Sequence, residues 1–338
     1  MATLNSDTDV AGPADAGTGA AGQSVALVEQ QYNDLLDQLK AMRHELSQLA
    51  LRESELRAVI ERDTELDAHI DRLLKALRKT APMERVAAAL DGATLHLDPF
   101  PYIVVDDLAP PGFYNALLRG IPPVELFDNK PAGKTHLDVP FALAPIYSQR
   151  VWQYMASEIV AKVITPRIID KFRSQIDEWI VRNWPDLQPE SVELHGTSGR
   201  IMFRRRGYRI LPHRDPKWSF ITCIFYLARP GDDEAWGTQI YAVDEDQEAR
   251  SAAPYWIDEK ACRLVKDVKF RPNRLLAFLN SVGAHGAHIP ADAQPETLER
   301  YIYQFRVGPT PAAISLLKSM LPEERQPLWA GKALVDDY

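Results

Sequence analysis

The apolar positions between Val25 and Lys79 follow a seven-residue repeat, and this segment contains no glycine or proline. Eleven of the fourteen seam positions are apolar; the fourteen are Tyr32, Leu35, Leu39, Met42, Leu46, Leu49, Glu53, Leu56, Ile60, Asp63, Asp67, Ile70, Leu74 and Leu77. Sustained heptads are typical of a coiled coil, and we expect this arm to pair with a second copy as a homodimer or to join a larger assembly. Two alternatives stay open: a long amphipathic helix packed on its own domain, and an antiparallel hairpin with a break at residues 62–64.

The pattern changes after Pro82, which should end the long helix. The next segments should form, in order, a short helix, a strand, a helix and a pair of helices: Met83–Leu90, Pro99–Asp107, Pro110–Gly120 and Ser148–Trp184. Past Ser198, runs rich in β-branched and aromatic residues alternate with turn residues; they are Arg200–Arg205, Phe220–Leu227, Thr238–Val243, Val265–Arg271, Arg274–Leu279 and Tyr301–Val307. This order predicts an α+β fold in which short strands form a sandwich or barrel and helices cover one outer face.

These changes in pattern divide the chain into four expected regions. Residues 1–23 are rich in Ala, Gly, Asp and Thr and should form a disordered tail, because they cannot bury enough apolar surface. The coiled-coil arm should occupy residues 24–80, the main domain residues 82–315 and a C-terminal tail residues 316–338. Candidate chemistry is therefore expected in the third region.

Composition excludes several classes of protein. The chain has 338 residues and a net charge of −8, and we interpret its one dense basic cluster, Arg204-Arg205-Arg206, as a solvated strand edge. A nucleic-acid partner would need a basic surface. Two cysteines give no disulfide framework, and neither a signal peptide nor an apolar run of bilayer length is visible. We therefore expect a cytoplasmic protein with no nucleic-acid partner and no membrane span.

The candidate chemistry lies in His213-Arg214-Asp215. On an extended chain, residues two apart point to the same side, so His213 and Asp215 can reach one metal ion while Arg214 points away. A third ligand, His285, follows about seventy residues later. Two histidines and one carboxylate on one face of the ion form the site of non-haem iron(II) oxygenases. A second His-x-Asp, at His136 and Asp138, shows that the dipeptide spacing alone is weak, and we interpret that one as structural.

The surroundings of the first motif resemble the iron(II)/2-oxoglutarate-dependent dioxygenases, in particular the prolyl-4-hydroxylase-like branch. The resemblance covers roughly residues 97–310 and leaves the helical arm unexplained. Its motifs follow the family's order. The first ligand segment is Gly207–Asp215, and the next strand is Thr222–Leu227. A strand with one glycine where the family usually has two is Gly237–Tyr241, and Arg274–Phe278 then precedes the distal ligand in Ala284-His285-Gly286.

The resemblance implies a double-stranded β-helix, a jelly-roll or cupin-like core with flanking helices. It implies iron(II) held by His213, Asp215 and His285, with His285 favoured over His288 because the family commonly has glycine after the distal ligand. It also implies 2-oxoglutarate as cosubstrate, anchored by a basic residue on a late strand.

Arg300 fits that anchor, and Arg306 competes with it because the two share a strand face. The hydroxyl residue usual two places after the arginine is absent, since Ile302 stands there. Tyr208 and Thr222 are candidates for further hydrogen bonds to the cosubstrate; the alternatives are a packed tyrosine and an ordinary β-branched strand residue.

The expected activity is therefore that of an iron(II)- and 2-oxoglutarate-dependent hydroxylase, with ascorbate as a supporting reductant. It would act on a small molecule, a sugar or a peptide and release succinate and CO2. The alternative is a non-catalytic, cupin-like metal-binding scaffold presented by a coiled coil.

Overall fold

A computed structural model of the chain describes residues 18–77, 80–127, 134–136, 144–197, 199–244, 255–280, 283–324 and 326. The chain divides into two units, Met1–Glu61 and Arg62–Tyr338. The α-helices are α1 (Thr18–Leu77), α2 (Thr80–Asp91), α3 (Pro111–Arg119), α4 (Ile146–Tyr154), α5 (Thr165–Lys171), α6 (Arg173–Asn183) and α7 (Pro311–Ser319). A π-helical segment, Met155–Ile164, joins α4 to α5.

The strands form two antiparallel sheets. They are β1 (Tyr102–Val105), β2 (Lys134–His136), β3 (Leu194–Gly196), β4 (Arg200–Arg205), β5 (Arg209–Arg214), β6 (Ile221–Tyr226), β7 (Thr238–Val243), β8 (Tyr255–Trp256), β9 (Cys262–Val268), β10 (Arg274–Leu279), β11 (Ala284–His288) and β12 (Glu299–Pro309). The larger sheet has the order β1-β10-β6-β12-β4-β2, with β3 also paired to β12, and the smaller has the order β8-β5-β11-β7-β9.

This strand order is that of a double-stranded β-helix. Four strands of the larger sheet, β10-β6-β12-β4, stand against four of the smaller, β5-β11-β7-β9, and the chain passes back and forth between the two sheets. Closing two sheets on each other in this way is the jelly-roll solution to unpaired sheet edges. The predicted fold class is therefore confirmed.

Side chains of the larger sheet alternate between two apolar cores, as the two-residue period of a strand requires. On β6, Cys223 and Phe225 face the helices, whereas Ile224 and Tyr226 face the smaller sheet. The helix-side core also takes residues from α2 to α7. The inter-sheet core is smaller and receives Ile240 from β7. The candidate site lies in this inter-sheet interior.

The seam residues of helix α1 differ in exposure between the two units. In the first unit, six seam residues are 57–65% exposed; they are Tyr32, Leu35, Leu39, Met42, Leu46 and Leu49. In the second unit, Ile70, Leu74 and Leu77 are buried in the helix-side core, and Asp71 pairs with Arg150. Because α1 is continuous from Thr18 to Leu77, the alternative of a hairpin with a break at residues 62–64 is wrong.

Several boundaries differ from the expected ones. Residues 18–23, expected to be disordered, are helical, and residues 1–17 of that tail lie outside the described part. Helix α7 crosses the expected start of the C-terminal tail, and Leu317 is buried where it accepts a hydrogen bond from the Trp184 indole. The short strands β2, β3, β5, β8 and β11 are absent from the expectations, since each has too few apolar residues to show a period. Among the described residues, no helix is long and apolar enough to cross a bilayer.

Candidate metal centre

Two neighbouring strands of the smaller sheet bring the candidate ligands together. In the pairing of β5 with β11, His213 lies directly opposite His285, and Asp215 follows the end of β5. All three side chains are buried, and one ligand atom from each lies within 4.8 Å of the others. Pairing between strands seventy residues apart thus creates the cluster.

Gly286 permits this close pairing of the strands. A Cβ at this position would lie only 2.9 Å from the carbonyl oxygen of Ile210 on β5. The register of β11 against β5 also shifts between His285 and Ala287. The residue after the distal histidine is therefore small for a steric reason.

The His213 ring is oriented by its own strand. Its Nδ1 lies 2.8 Å from the carbonyl oxygen of Leu211, which can only accept, so Nδ1 carries the proton. Nε2 is then the lone-pair nitrogen, and it lies 4.0 Å from Oδ1 of Asp215. Arg214 points the other way and donates to the carbonyl oxygen of Gly283 at 2.9 Å. The alternation inferred from the sequence is therefore present.

A hydrogen-bonded relay orients the Asp215 carboxylate. Thr222 on β6 donates its hydroxyl proton to Oδ2 of Asp215. The Asn280 amide donates in turn to the Thr222 hydroxyl at 2.8 Å and to the carbonyl oxygen of Ser219 at 2.9 Å. Such outer partners fix the geometry of a metal ligand.

One guanidinium and two imidazole rings surround the same carboxylate. Arg306 lies 3.8 Å from Oδ1, and Nε2 of His285 lies 3.8 Å from Oδ2. Burial alone would raise the pKa of Asp215, but Arg306, the two histidines and the Thr222 hydrogen bond together lower it below its ordinary range. The carboxylate is therefore ionised and ready to bind a cation.

Among the side chains that the structure describes, no other histidine joins this cluster. His288 is exposed at the end of β11, opposite Arg209. Asp138 lies outside the described residues, and so does the side chain of His136, whose backbone belongs to β2. Of the two candidates for the distal ligand, the structure thus brings only His285 to His213 and Asp215.

A cavity opens beside the three ligands, inside the barrel. Its wall is formed by Arg204, Tyr208, Ile210, His213, Asp215, Ile224, Thr238, His285, Gly286, Ala287 and Gln304. Tyr208 is buried, and its hydroxyl has no hydrogen-bond partner in the described structure. Burial raises the pKa of Tyr208, so this hydroxyl stays protonated and can donate to a ligand.

The remaining predicted binding residues lie beside this wall and do not line it. Thr222 is engaged with Asp215. Arg300 is buried on β12, with its guanidinium 4.8 Å from the Phe270 ring centre and 3.7 Å from Asp232. Arg306 contacts Asp215 and lies over the Trp218 ring at 5.1 Å.

Sequence reasoning missed Asn280 and Arg204. Asn280 follows β10 in an ordinary polar turn, and only its approach to Thr222 gives it a role. Arg204 was interpreted as part of a solvated basic edge, although the two-residue period of β4 would have placed one arginine of the run on the inner face.

The donor set fits a divalent iron. Two imidazole nitrogens and one carboxylate oxygen are the ligands of non-haem iron(II) sites that keep open positions. The three ligand atoms lie within 4.8 Å of one another, which is close enough for one ion to bind all three. The adjoining cavity lies where such open positions would be filled.

No protein-family model matches this chain. No curated protein matches it either. Among solved structures, a Trichoplax adhaerens prolyl hydroxylase in complex with a hypoxia-inducible-factor peptide is similar over 71% of this chain and 97% of its own, with 13% identity and a TM-score of 0.41. A Pseudomonas putida prolyl-4-hydroxylase is similar over 67% of this chain and 99% of its own, with 14% identity and a TM-score of 0.35.

HygX from Streptomyces hygroscopicus, solved with nickel, 2-oxoglutarate and hygromycin B, is similar over 62% of this chain and 83% of its own, with 14% identity and a TM-score of 0.38. Solved structures similar to this chain thus include prolyl hydroxylases and a 2-oxoglutarate-binding protein. The strand order, rather than these distant similarities, assigns the double-stranded β-helix.

Proposed function

We propose that this chain is an iron(II)- and 2-oxoglutarate-dependent oxygenase that hydroxylates a small molecule, a sugar or a peptide. One observation carries the proposal: His213, Asp215 and His285 place three buried ligand atoms within 4.8 Å of one another at the wall of a cavity. When bound, iron(II) and 2-oxoglutarate supply the oxidation, in which one oxygen atom of O2 enters the substrate and the other enters succinate, with release of CO2.

The chain's own residues hold and orient these groups. The Leu211 carbonyl fixes the tautomer of His213, so that Nε2 is the coordinating nitrogen. Thr222 and Asn280 fix the orientation of Asp215. Ile224 belongs to both the inter-sheet apolar core and the cavity wall, so apolar side chains adjoin the site.

The test is metal binding combined with turnover of 2-oxoglutarate. The wild-type protein should bind one iron(II) per chain under anaerobic conditions and, in air, convert 2-oxoglutarate to succinate. His213→Ala removes a ligand, and we expect both affinity and turnover to fall by more than about 100-fold, beyond the loss seen on changing outer partners.

His288→Ala is the matched control, because His288 lies on the same strand as His285 but is exposed. It should behave as the wild type. If His213→Ala and the wild type are equal in metal binding, the proposed site is refuted. Tight metal binding without 2-oxoglutarate binding or turnover would support the scaffold alternative instead.

We further propose that the exposed seam of α1 pairs with a second copy as a coiled coil. Six large apolar side chains in heptad register, each more than half exposed, form a stripe that a partner helix of the same sequence can cover. This interpretation keeps the arm, the oxygenase domain and the tails near their expected bounds of 24–80, 82–315, 1–23 and 316–338.

Molar mass in solution tests the dimer. Leu39→Lys combined with Leu46→Lys should convert a dimer to a monomer, as measured by sedimentation or light scattering. Leu51→Lys is the control, since Leu51 is equally exposed but lies off the seam. A monomeric wild type would contradict the pairing.

We propose a reducing, cytoplasmic compartment, in which iron stays ferrous and ascorbate can support activity. Cys223 and Cys262 are both free thiols, which agrees with this setting.

A further inference from the structure

The inner face of β4 presents a buried arginine to the cavity. On this strand Ile201 and Phe203 face the helix-side core, whereas Met202 faces the inter-sheet core. Arg204 continues the inner series, is 8% exposed and lines the cavity that also contains the candidate metal ligands. Arg205, its neighbour, points to the opposite side and is exposed. The basic run thus places one guanidinium inside the barrel.

The Arg204 guanidinium lacks an anionic partner in the described part of the chain. Its Nε is buried without a hydrogen-bond acceptor, and no described carboxylate lies within 4.0 Å of the group. Its contact is the Tyr208 ring, whose centre is 4.8 Å away. Burying a cation without a partner is strongly unfavourable, so a charged ligand is the natural complement to this group.

Arg300 stands directly opposite Arg204 in the pairing of β12 with β4, yet its surroundings differ. Its guanidinium lies 3.7 Å from the Asp232 carboxylate, over the Phe270 ring, and outside the cavity wall. Nε and Nη2 of Arg300 are also buried without a hydrogen-bond partner, so the two arginines differ in the nearby Asp232 carboxylate and in their position relative to the cavity wall.

We propose that Arg204, on the first strand of the barrel, binds the far carboxylate of 2-oxoglutarate. The proposal rests on the proposed function. An arginine offers two parallel N–H donors to a carboxylate, and the buried Tyr208 hydroxyl beside it has no other acceptor. Thr238 lines the same wall; its hydroxyl oxygen accepts from Tyr226 at 2.8 Å, which leaves its own proton to donate.

The experiment compares two ligands in the iron(II)-loaded protein without oxygen. One ligand is 2-oxoglutarate, and the other is 2-oxopentanoate, in which a methyl group replaces the far carboxylate. Binding is followed by the charge-transfer absorption of the metal complex and by calorimetry. The wild type should bind 2-oxoglutarate about 10- to 100-fold more tightly than 2-oxopentanoate, as expected for a charge-assisted hydrogen bond.

Arg204→Met should lose this preference while still binding 2-oxopentanoate and one metal ion per chain. Arg205→Met, the neighbouring arginine on the opposite face, should keep the preference. Arg300→Met should keep most of it, because its guanidinium faces Asp232.

The outcomes separate the two proposals. If Arg300→Met loses the preference and Arg204→Met retains it, the assignment of Arg204 is overturned, and the late-strand anchor holds instead. If the wild type binds metal but neither ligand, the proposed function fails and the assignment fails with it. Loss of metal stoichiometry in Arg204→Met would also overturn the assignment, because the arginine would then be structural.

Discussion

The two faces of the larger sheet have different roles, one in packing and one in the candidate site, although their residues alternate along the same strands. On β12, Tyr303, Phe305 and Val307 pack into the helix-side core. Between them, Gln304 lines the cavity and Arg306 contacts Asp215. Adjacent residues of one strand therefore face opposite sides: one packs in the helix-side core, and the next faces the candidate site.

The contrast shows how the fold can keep polar groups inside a barrel. The outer face buries large aromatic side chains, which supply hydrophobic stabilisation over a wide area. The inner face can then present Arg204, Gln304 and Arg306 toward the candidate ligands of the smaller sheet, beside a smaller apolar core. Substitutions on the two faces should accordingly separate stability from ligand binding.

The largest expected effect on stability is on the outer face. Phe305→Ala should lower the free energy of unfolding by about 3–5 kcal/mol, because it leaves a cavity in the helix-side core. Urea titration at low temperature measures the loss. Phe305→Leu, which fills most of that space, should be much milder. The folded fraction of Phe305→Ala should still bind one metal ion per chain; a changed metal affinity would show that the two faces are coupled.

A substitution on the inner face of the same sheet should lower metal affinity instead of stability. Thr222→Val removes the hydroxyl that donates to Asp215 and accepts from Asn280, at nearly constant shape. We expect metal affinity to fall by about 10- to 100-fold, as for other outer partners of metal ligands. Anaerobic metal titration tests this, with Thr222→Ser, which keeps the hydroxyl, as the control. Unaltered affinity in Thr222→Val would exclude the relay to Asp215.

The smallest effect is expected at the rim of the sheet, where Arg274 makes a two-pronged ion pair with Asp106 at 2.6 and 2.8 Å. The hydrogen bond from Arg274 lowers the pKa of Asp106. Because Asp106 is half exposed, solvent screens the pair, and Asp106→Asn should cost at most about 1 kcal/mol at pH 7.

The pH dependence of this pair has a definite sign. A lowered pKa in the folded state stabilises the protein above the ordinary value of 3.8, and this stabilisation is lost as the pH falls through the folded-state pKa. The difference between wild type and Asp106→Asn, measured by urea unfolding, should therefore shrink below about pH 4. A difference that grows in acid would contradict the ion pair, and metal binding should not change.

Much of the barrel was predictable because strands and turns leave a local signal. The runs at β4, β6, β7 and β10 were expected within a residue or so of their observed ends. Short polar strands such as β11 have no such signal, because only the pairing with β5 places His285 and its neighbours in the sheet. The heptads of α1 predicted a long helix, but a heptad does not specify its partner: Ile70 is covered by its own domain, and Leu39 is exposed.

The candidate site was predictable in part for the same reason. The spacing of His213 and Asp215 is local, so the sequence indicated that both point one way. The roles of Asn280 and Arg204 depend on pairing with β6 and on which face of β4 looks inward, and neither is local information. Arg204 and Arg205 are the same type of residue, and only their burial distinguishes them.

The sequence by itself determined the helical arm, the order of most strands and two of the three candidate ligands, because these follow from side-chain periods along a continuous backbone. Only the tertiary structure decided which histidine joins them, which arginine enters the cavity and which part of α1 is covered. Those choices depend on contacts between residues far apart in the chain, which no local period records.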